Sequence, residues 1–450
     1  MTRQLSLNAF LHDTGHHEAS WRHPDSAAER VTDIDFDTTN AQIAEEAKFD
    51  AIFFADAPAL WGATPHRPTG HLEPITRLAA IAARTERIGL IATASTTFYE
   101  PYNLARLFSS LDTLSRGRAG WNIVTTQSEA AARNFSLSEL PSTQERYARA
   151  QEFIDVVTKL WDSWEDDAIL ADREAGLFYD QAKVHPINHV GTYFQVEGAL
   201  AAPRSPQGRP VYVQAGSSND GRAFAGRNAE AIFTAHQTLG DAQAFYADIK
   251  SRAVAFGRSP DDVKILPGIS PFVADTEAEA IELQRYINSL TVPAYGLAQL
   301  EGLAGVSLAH LELDEAVPRE VFGEAGNVLD NNRSRLQVIA NIVERDRPTL
   351  RELLHRLAGA RGHNVVAGTP TQVADIITEW FQNDAADGFN VMPPLYPQLL
   401  GTFAESVVPI LQDRGLFRTE YTGSTLRDHF GLARPDSLYG ADANEEAHVV

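Results

Sequence analysis

ERIGLIATASTT (residues 86–97), EPYNLAR (100–106) and LDTLSRGRAGWNIVTT (111–126) read in succession as strand, hydroxyl-rich turn, amphipathic helix, basic glycine turn and second strand. Leu104, Leu107, Phe108, Leu111 and Leu114 recur at helical spacing between the two strands, and Pro101 suits the first turn. Two strands joined by a helix lie parallel, so both polar exits, Thr93 to Thr97 and then Thr125 and Thr126, fall at the same end of one sheet. Ligands of parallel sheets bind at the carboxyl ends of the strands. The segment therefore points to a small-molecule site as well as to a fold.

Outward from this unit, short apolar runs alternate with helical patterns. Strands are expected near 4–10, 51–55, 88–94, 119–124, 211–215, 230–235, 263–269 and 389–393. Eight is the number that an α/β TIM-like (β/α)8 barrel requires. After the fourth strand, Tyr147, Ala150, Phe153, Ile154, Val157 and Trp161 form a helical stripe. Near the end, Thr369 is placed to cap a helix, Pro370 fits its first turn, and Val373, Ile376, Ile377 and Trp380 form its buried face. Residues 1–450 thus read as one barrel domain with insertions at about 163–209 and 290–368 and a tail from about 418 to 450. Long insertions in barrels usually lie over the active-site face, and both are expected there. The tail is expected to wrap the body or a neighbouring subunit.

The formal charge of −22 repels phosphate backbones and argues against a nucleic-acid role. The absence of cysteine removes disulfides, thiol nucleophiles and thiolate-bound clusters, so any redox chemistry needs an organic cofactor or a metal held by other ligands. No apolar run is long enough to span a bilayer and no leader pattern opens the chain, so a cytoplasmic protein with no membrane partner is expected.

Several residues at strand ends carry candidate chemistry. Asp56, after the second strand, is placed either to touch ligand or to cap its own turn. Thr93, Ser95, Thr96 and Thr97 suit a polar ring edge or a phosphate, but equally ordinary turn bonding. Buried Asn122 needs several hydrogen-bond partners, which a heterocycle or the backbone would supply. Gly216, Ser217 and Ser218 open a helix, an arrangement that suits a phosphate through free N–H groups, a favourable dipole and two hydroxyls. The plainer role for either serine is an N-cap. His12, His16 and His17 sit with Trp21, Arg22 and His23 in the loop after the first strand. Gly15 and the lack of apolar periodicity argue against a helical metal pair at His12 and His16, and no metal site is expected. No G-x-G-x-x-G follows a strand, no Walker loop occurs and no Gly-x-Ser-x-Gly elbow is present. A phosphate site without those motifs makes FMN the attractive ligand.

Beyond these features, LDTLSRGRAGWNIVT (111–125) and GRPVYVQAGSS (208–218) resemble the nitrilotriacetate monooxygenase component A and dibenzothiophene-sulfone monooxygenase group of the bacterial-luciferase-like, FMN-dependent monooxygenases. The EDTA monooxygenases belong to the same group. The likeness continues in Gly15-His16-His17 with Trp21-Arg22, LWDSW (160–164), Gly368-Thr369-Pro370, Asp387-Gly388-Phe389-Asn390 and RGLFRTEY (414–421), so it covers nearly the whole chain. It implies a luciferase-like barrel taking reduced FMN from a separate NAD(P)H-dependent flavin reductase. Through a flavin C4a-peroxide, O2 then oxygenates a small organic substrate. The family's flavin contacts fall on Asp56, Thr93, Asn122, Tyr147, Ser217 and Ser218, the two serines toward the phosphate. His12, His16 and His17 are expected to serve the peroxide or the substrate. From its spacing alone, Tyr147 is equally a core-facing helical aromatic. A homodimer or homotetramer is implied by the same likeness. Two positions depart from the family: Asn134-Phe135-Ser136 stands where Asn-Phe-Gly is frequent, and Ser142 to Glu145 stand where a histidine commonly precedes the pair Arg146-Tyr147. The rival readings are a metal-dependent barrel hydrolase using the N-terminal histidines, and a flavin-binding protein without catalysis.

Overall fold

Eight parallel strands close on themselves in the computed structural model, which describes residues 3–60, 65–216, 218–305, 307–322 and 333–439. They are β1 (Ser6–Leu11), β2 (Ala51–Phe54), β3 (Gly89–Ser95), β4 (Ala119–Val124), β5 (Val211–Gln214), β6 (Ala231–Thr234), β7 (Lys264–Val273) and β8 (Gly388–Val391). Each pairs with its neighbour in sequence, and β8 returns to β1 with Ser6 opposite Gly388. The chain is a (β/α)8 barrel. Helices α1 (Ile34–Glu46), α2 (Pro74–Ala82), α3 (Pro101–Leu114), α4 (Thr143–Asp162), α5 (Asn219–Asn228) and α6 (Leu239–Ala255) follow the first six strands in turn. After β7 come α7 (Glu277–Ser289), α8 (Pro293–Ala304), α9 (Arg333–Asp346) and α10 (Leu350–Ala360), and α11 (Pro370–Gln382) leads into β8. Among the described residues, no helix is long and apolar enough to cross a membrane.

The period-2 alternation of the strands sorts their side chains between two cores. In β4, Trp121 points outward and is fully buried among the rings of Phe108, Phe153, Trp161 and Tyr212, at centroid distances of 5.8–6.2 Å. Its neighbour Asn122 consequently points into the barrel. The preceding Arg118 is buried and donates to Ser115 O, Thr85 Oγ1, Ile88 O, Ala82 O and Thr85 O, which fastens the start of β4 to the turn before β3. The stripe on α3 is narrower than its leucines suggest. Leu104, Phe108 and Leu111 are buried, whereas Leu107 and Leu114 are 44% and 68% exposed. At 100° per residue those two lie on the flank of the stripe, beyond the reach of the strands. The cap at Thr369 forms as expected: its hydroxyl accepts from Gln372 N, and Val373, Ile377 and Trp380 are buried.

The tail closes the barrel from below. Leu426 and Phe430, on a short helix (Leu426–Phe430), join Ala51, Phe53, Ile91, Val211, Val213 and Leu266 in one apolar cluster inside the barrel. Two glycines make room for the plug: a Cβ on Gly89 would stand 2.4 Å from Leu426 Cδ1, and one on Gly120 would stand 3.0 Å from Leu426 Cδ2. Arg427 holds Glu230 at 2.6 Å, and Arg418 holds Asp50 at 2.6 Å. The described part of the tail therefore seals the amino-terminal end of the barrel.

The two excursions lie at opposite ends. Residues 163–209 leave from the carboxyl end of α4, which runs antiparallel to the strands, and so emerge at the amino-terminal end of the barrel. They carry two antiparallel pairs, Ile169–Asp172 with Leu177–Tyr179 and His189–Val190 with Gln195–Val196, and meet the tail through Arg204 Nη2 to Pro435 O and Arg434 to Asp166. The expectation that this excursion covers the active-site face is thus corrected by the direction of the helix it leaves. The 290–368 excursion follows α7, whose Asn288 meets His17 in the loop after β1, and its Arg361 reaches His12, so it does lie on that face. It encloses its own apolar cluster, including Leu300, Leu308, Ile339, Leu350 and Leu353, and returns through Asn364–Gly368, paired with the extended end of β7. Truncating the plug, Leu426→Ala, is predicted to cost about 2–5 kcal/mol of unfolding free energy in urea titrations.

Candidate active site

A polar layer lies at the carboxyl end of the barrel. Thr93 and Asn122 are register partners on β3 and β4. Asn122 Nδ2 donates to Thr93 Oγ1 at 2.8 Å, and Thr93 Oγ1 donates to Phe54 O at 2.9 Å. Asn122 Oδ1 is buried and has no hydrogen-bond partner, and the same is true of Gln214 Oε1 at the end of β5. The amide nitrogen of Asn122 is thus satisfied within the protein while its oxygen remains available to a donor. The hydroxyls that follow β3 are used locally. Thr126 donates to Ser95 Oγ at 2.7 Å, Thr97 donates to Thr125 O at 2.9 Å and Thr96 to Val124 O at 3.3 Å, so these bonds tie the third and fourth loops together.

Next to this layer, β5 runs through Gly216 into α5. Ser218 is the N-cap of α5, and its Oγ accepts from Gly221 N at 3.1 Å. The hydroxyl of Tyr147, on α4, hydrogen-bonds to the side chains of Ser218 and Thr125 while its ring packs 5.6 Å from Phe224. Tyr147 therefore combines the core packing and the polar contact that the sequence left as alternatives. The cradle is tight: a Cβ on Gly221 would lie 3.0 Å from the Tyr147 hydroxyl, and one on Gly216 would lie 2.4 Å from Gln214 Nε2. Ser217 falls outside the described residues. At the Asn134-Phe135-Ser136 departure, Ser136 adopts φ +64°, the left-handed region natural to glycine. At the second departure Ser142 caps α4, accepting from Glu145 N at 3.2 Å.

Asp56, just beyond β2, is half-buried, and its carboxyl is pushed up to about 6 by burial and by the nearby Glu73. His71 is near it and joins the loop after β1. There Asp13 is the centre: His12 Nδ1 lies 3.0 Å from Asp13 Oδ2, His71 Nδ1 lies 2.7 Å from Asp13 Oδ1, and Arg67 Nη2 is 3.8 Å from Oδ2. Burial alone would raise the Asp13 carboxyl, but the neighbouring His12 and His71 outweigh it and hold Asp13 well below the usual range. Arg361 Nη2 donates to His12 Nε2 at 2.9 Å. Burial pushes His12 down to about 4, and the charge of Arg361 adds to the effect. His16 is also buried and lowered, and its Nε2 faces Phe10 O at 2.6 Å. A carbonyl only accepts, so Nε2 carries the ring proton.

The sequence grouped three histidines, but the structure brings only His12 and His16 together, with ring centroids 5.3 Å apart. His17 turns toward α7, with Nε2 3.0 Å from Asn288 Oδ1 and Nδ1 accepting from Ala19 N. The loop is shaped by Gly15 at φ +147°, where a Cβ would fall 2.0 Å from Pro394 O. Sequence reasoning missed Asp13, Arg67, His71, Arg361 and His363. His363 stacks on Phe233 at 4.7 Å, at the barrel end of the insertion. None of these residues lies in a local motif. Among the described residues, no group of three or more histidine or carboxylate side chains is arranged to hold a metal ion.

The sequence model of the family described as luciferase-like monooxygenase matches residues 14–388, and the chain belongs to that family, an oxidoreductase family. It is 47% identical over 438 residues to N-acetyl-S-(2-succino)cysteine monooxygenase of Bacillus subtilis (strain 168), covering 97% of this chain and 98% of that protein. It is 45% identical to nitrilotriacetate monooxygenase component A of Aminobacter aminovorans, covering 96% and 97%. A solved structure of riboflavin lyase with modified FMN and riboflavin superposes with a TM-score of 0.84 at 33% identity, covering 96% of this chain and 97% of that one.

His17, pushed down to about 4 by burial, contributes stability that is complete above its unfolded value near 6.5 and is lost as pH falls from there toward 4. Wild type is therefore predicted to lose about 1 kcal/mol more than His17→Gln between pH 7 and pH 5.5. Urea unfolding of both proteins at the two pH values checks this; an unchanged gap would show a normally titrating ring.

Proposed function

We propose that this chain is the oxygenating component of a two-component flavin monooxygenase. The observation that carries the reading is Asn122 Oδ1, a buried acceptor left without a donor where β4 faces the barrel interior. An isoalloxazine ring offers N–H to such oxygens, and a phosphate suits the cradle formed by Tyr147, Ser218 and the start of α5. Thr93, Asn122 and Asp56 would hold the ring, while Tyr147 and Ser218, joined by Ser217, would hold the phosphate. Bound there, reduced FMN supplies two electrons to O2 at its C4a edge.

The chain's own residues then have three tasks. Phe10, Phe53, Phe233 and Met392 keep the barrel interior apolar and exclude water from the reacting atoms. His12 and His16 stay neutral: His12 holds its proton on Nδ1 against Asp13, and His16 holds its proton on Nε2 against Phe10 O. From the loop after β1 they are able to orient a proton at the barrel mouth. His17 serves instead to fix α7 against the first loop. Overall, one oxygen atom enters the substrate and the other leaves as water, with FMN oxidised.

The nitrilotriacetate relative is by name a component A, which supports a separate NAD(P)H-dependent flavin reductase as source of the reduced flavin. Dependence on NAD(P)H suits the cytoplasm. A homodimer or homotetramer is supported by the exposed apolar hairpin carrying Leu177 and Phe178, 54% and 68% exposed. The metal-hydrolase reading is disfavoured because Arg361 Nη2 already donates to His12 Nε2 and His16 Nε2 donates to Phe10 O.

The test supplies FMN, NADH and a flavin reductase under 18O2, with N-acetyl-S-(2-succino)cysteine, nitrilotriacetate and dibenzothiophene sulfone as candidate substrates. One 18O atom in a product that forms only with this protein is expected. Consumption of O2 to hydrogen peroxide alone, with all three compounds unchanged, would leave a flavin-binding protein without oxygenation.

A further inference from the structure

Around Asp13, four distant parts of the chain converge on one cluster that the flavin cradle does not use. The loop after β1 gives His12, Asp13 and Glu18, and the loop after β2 gives Arg67 and His71. From the insertion come Tyr295 on α8, whose hydroxyl is bonded to Arg67, and Arg361 just past α10. Arg361 itself sits at φ +53°, a conformation that costs energy for a residue with a side chain and here terminates α10 as its C-cap. The structure thus holds a charged group at the mouth on a backbone it must strain to form.

The charges that meet here do not suit an apolar ligand. Both arginines are permanently charged. Opposite them stand Asp13, ionised and already shared by two imidazoles, and Glu18, whose carboxyl burial raises to about 7 although Arg361 and Arg67 pull it down. Arg67 is only 11% exposed in its side chain. Covering these groups with a hydrocarbon would desolvate two guanidinium ions, which is expensive unless a counter-charge comes with the ligand. A guanidinium carries five N–H donors in a planar fork, so each arginine can keep its protein contacts and still receive a carboxylate. Below the cluster lie Phe10, Phe53 and Phe233, with His363 stacked on Phe233, so a ligand anchored by its charged end would reach an aromatic wall toward the barrel axis.

We propose that Arg67 and Arg361 form an anion-binding subsite at the barrel mouth and that the substrate oxygenated there is a small organic acid bearing one or more carboxylates, a reading that rests on the oxygenase function proposed above. Asp13 acts as a positioning residue, orienting His12 and His71 and drawing Arg67 toward the mouth. The insertion, by supplying Arg361 and Tyr295, sets the charge that the substrate must carry.

The test uses the full chain loaded with oxidised FMN and measures calorimetric binding of N-acetyl-S-(2-succino)cysteine, nitrilotriacetate and the neutral dibenzothiophene sulfone. At least one acid is expected to bind the wild type, and Arg67→Gln and Arg361→Gln are each expected to raise its Kd at least tenfold with FMN affinity unchanged. Arg361→Lys, which keeps the charge and loses the fork, is expected to recover part of that loss. Should a glutamine variant fail to fold, the lysine variants at both positions replace it, with a smaller rise in Kd expected. Acid affinity unmoved by either substitution would overturn the proposal, as would binding of the sulfone but of neither acid. Failure of the oxygenase reading looks different: acid binding stays arginine-dependent while no 18O enters any product.

Discussion

A buried amide oxygen with no donor within reach costs about 1–3 kcal/mol, and one that faces a barrel interior is available to the donor of a ligand. Asn122 Oδ1 is in that position, and its surroundings follow from holding it there. Trp121 anchors the outward face of β4 in an aromatic cluster, Arg118 fixes where the strand begins, and Thr93 occupies the amide nitrogen. With rotation and register both constrained, the oxygen keeps one direction. That is the preorganisation a cofactor site needs, and it explains why a run of apparently plain barrel sequence is so sharply composed.

The two ends of the barrel divide structural and chemical work. At the amino-terminal end, Leu426 fills the space left by Gly89 and Gly120, and the buried pairs Arg427–Glu230 and Arg418–Asp50 hold the tail in place. Removing one partner of such a pair leaves an uncompensated buried charge, so this end tolerates little change. At the carboxyl end the groups are polar, partly unsatisfied and drawn from loops. The insertion after β7 carries its own apolar cluster and so can present Arg361 and His363 from a supported base.

The fold was legible because each barrel strand is a short apolar run and each intervening helix shows its stripe, signals that need only local sequence. The positions of Asp56, Thr93, Asn122 and Ser218 were legible for a related reason: they lie at strand ends or at a helix cap, where the neighbours constrain them, whereas Tyr147, on α4, had only the family likeness. The errors have physical causes. The 163–209 excursion was assigned to the wrong end because its place depends on the direction of the element it leaves, not on its composition. His17 was grouped with its neighbours, yet the turn at Gly15 sends it toward Asn288. Arg67, His71 and Arg361 had no local signature: Arg361 meets His12 across 349 residues of chain, and only barrel closure brings them together.

The most direct test of the central claim is a comparison of Asn122→Leu with the wild type, each measured for unfolding free energy without flavin and for affinity toward reduced FMN under anaerobic conditions. If Asn122 is retained for the cofactor, an apolar side chain of similar size relieves the unmet acceptor. The flavin-free variant should then be at least as stable as the wild type while its affinity for reduced FMN falls tenfold or more. A variant that is less stable but binds reduced FMN as tightly as the wild type would contradict the account, since Asn122 would then serve the barrel and not the flavin.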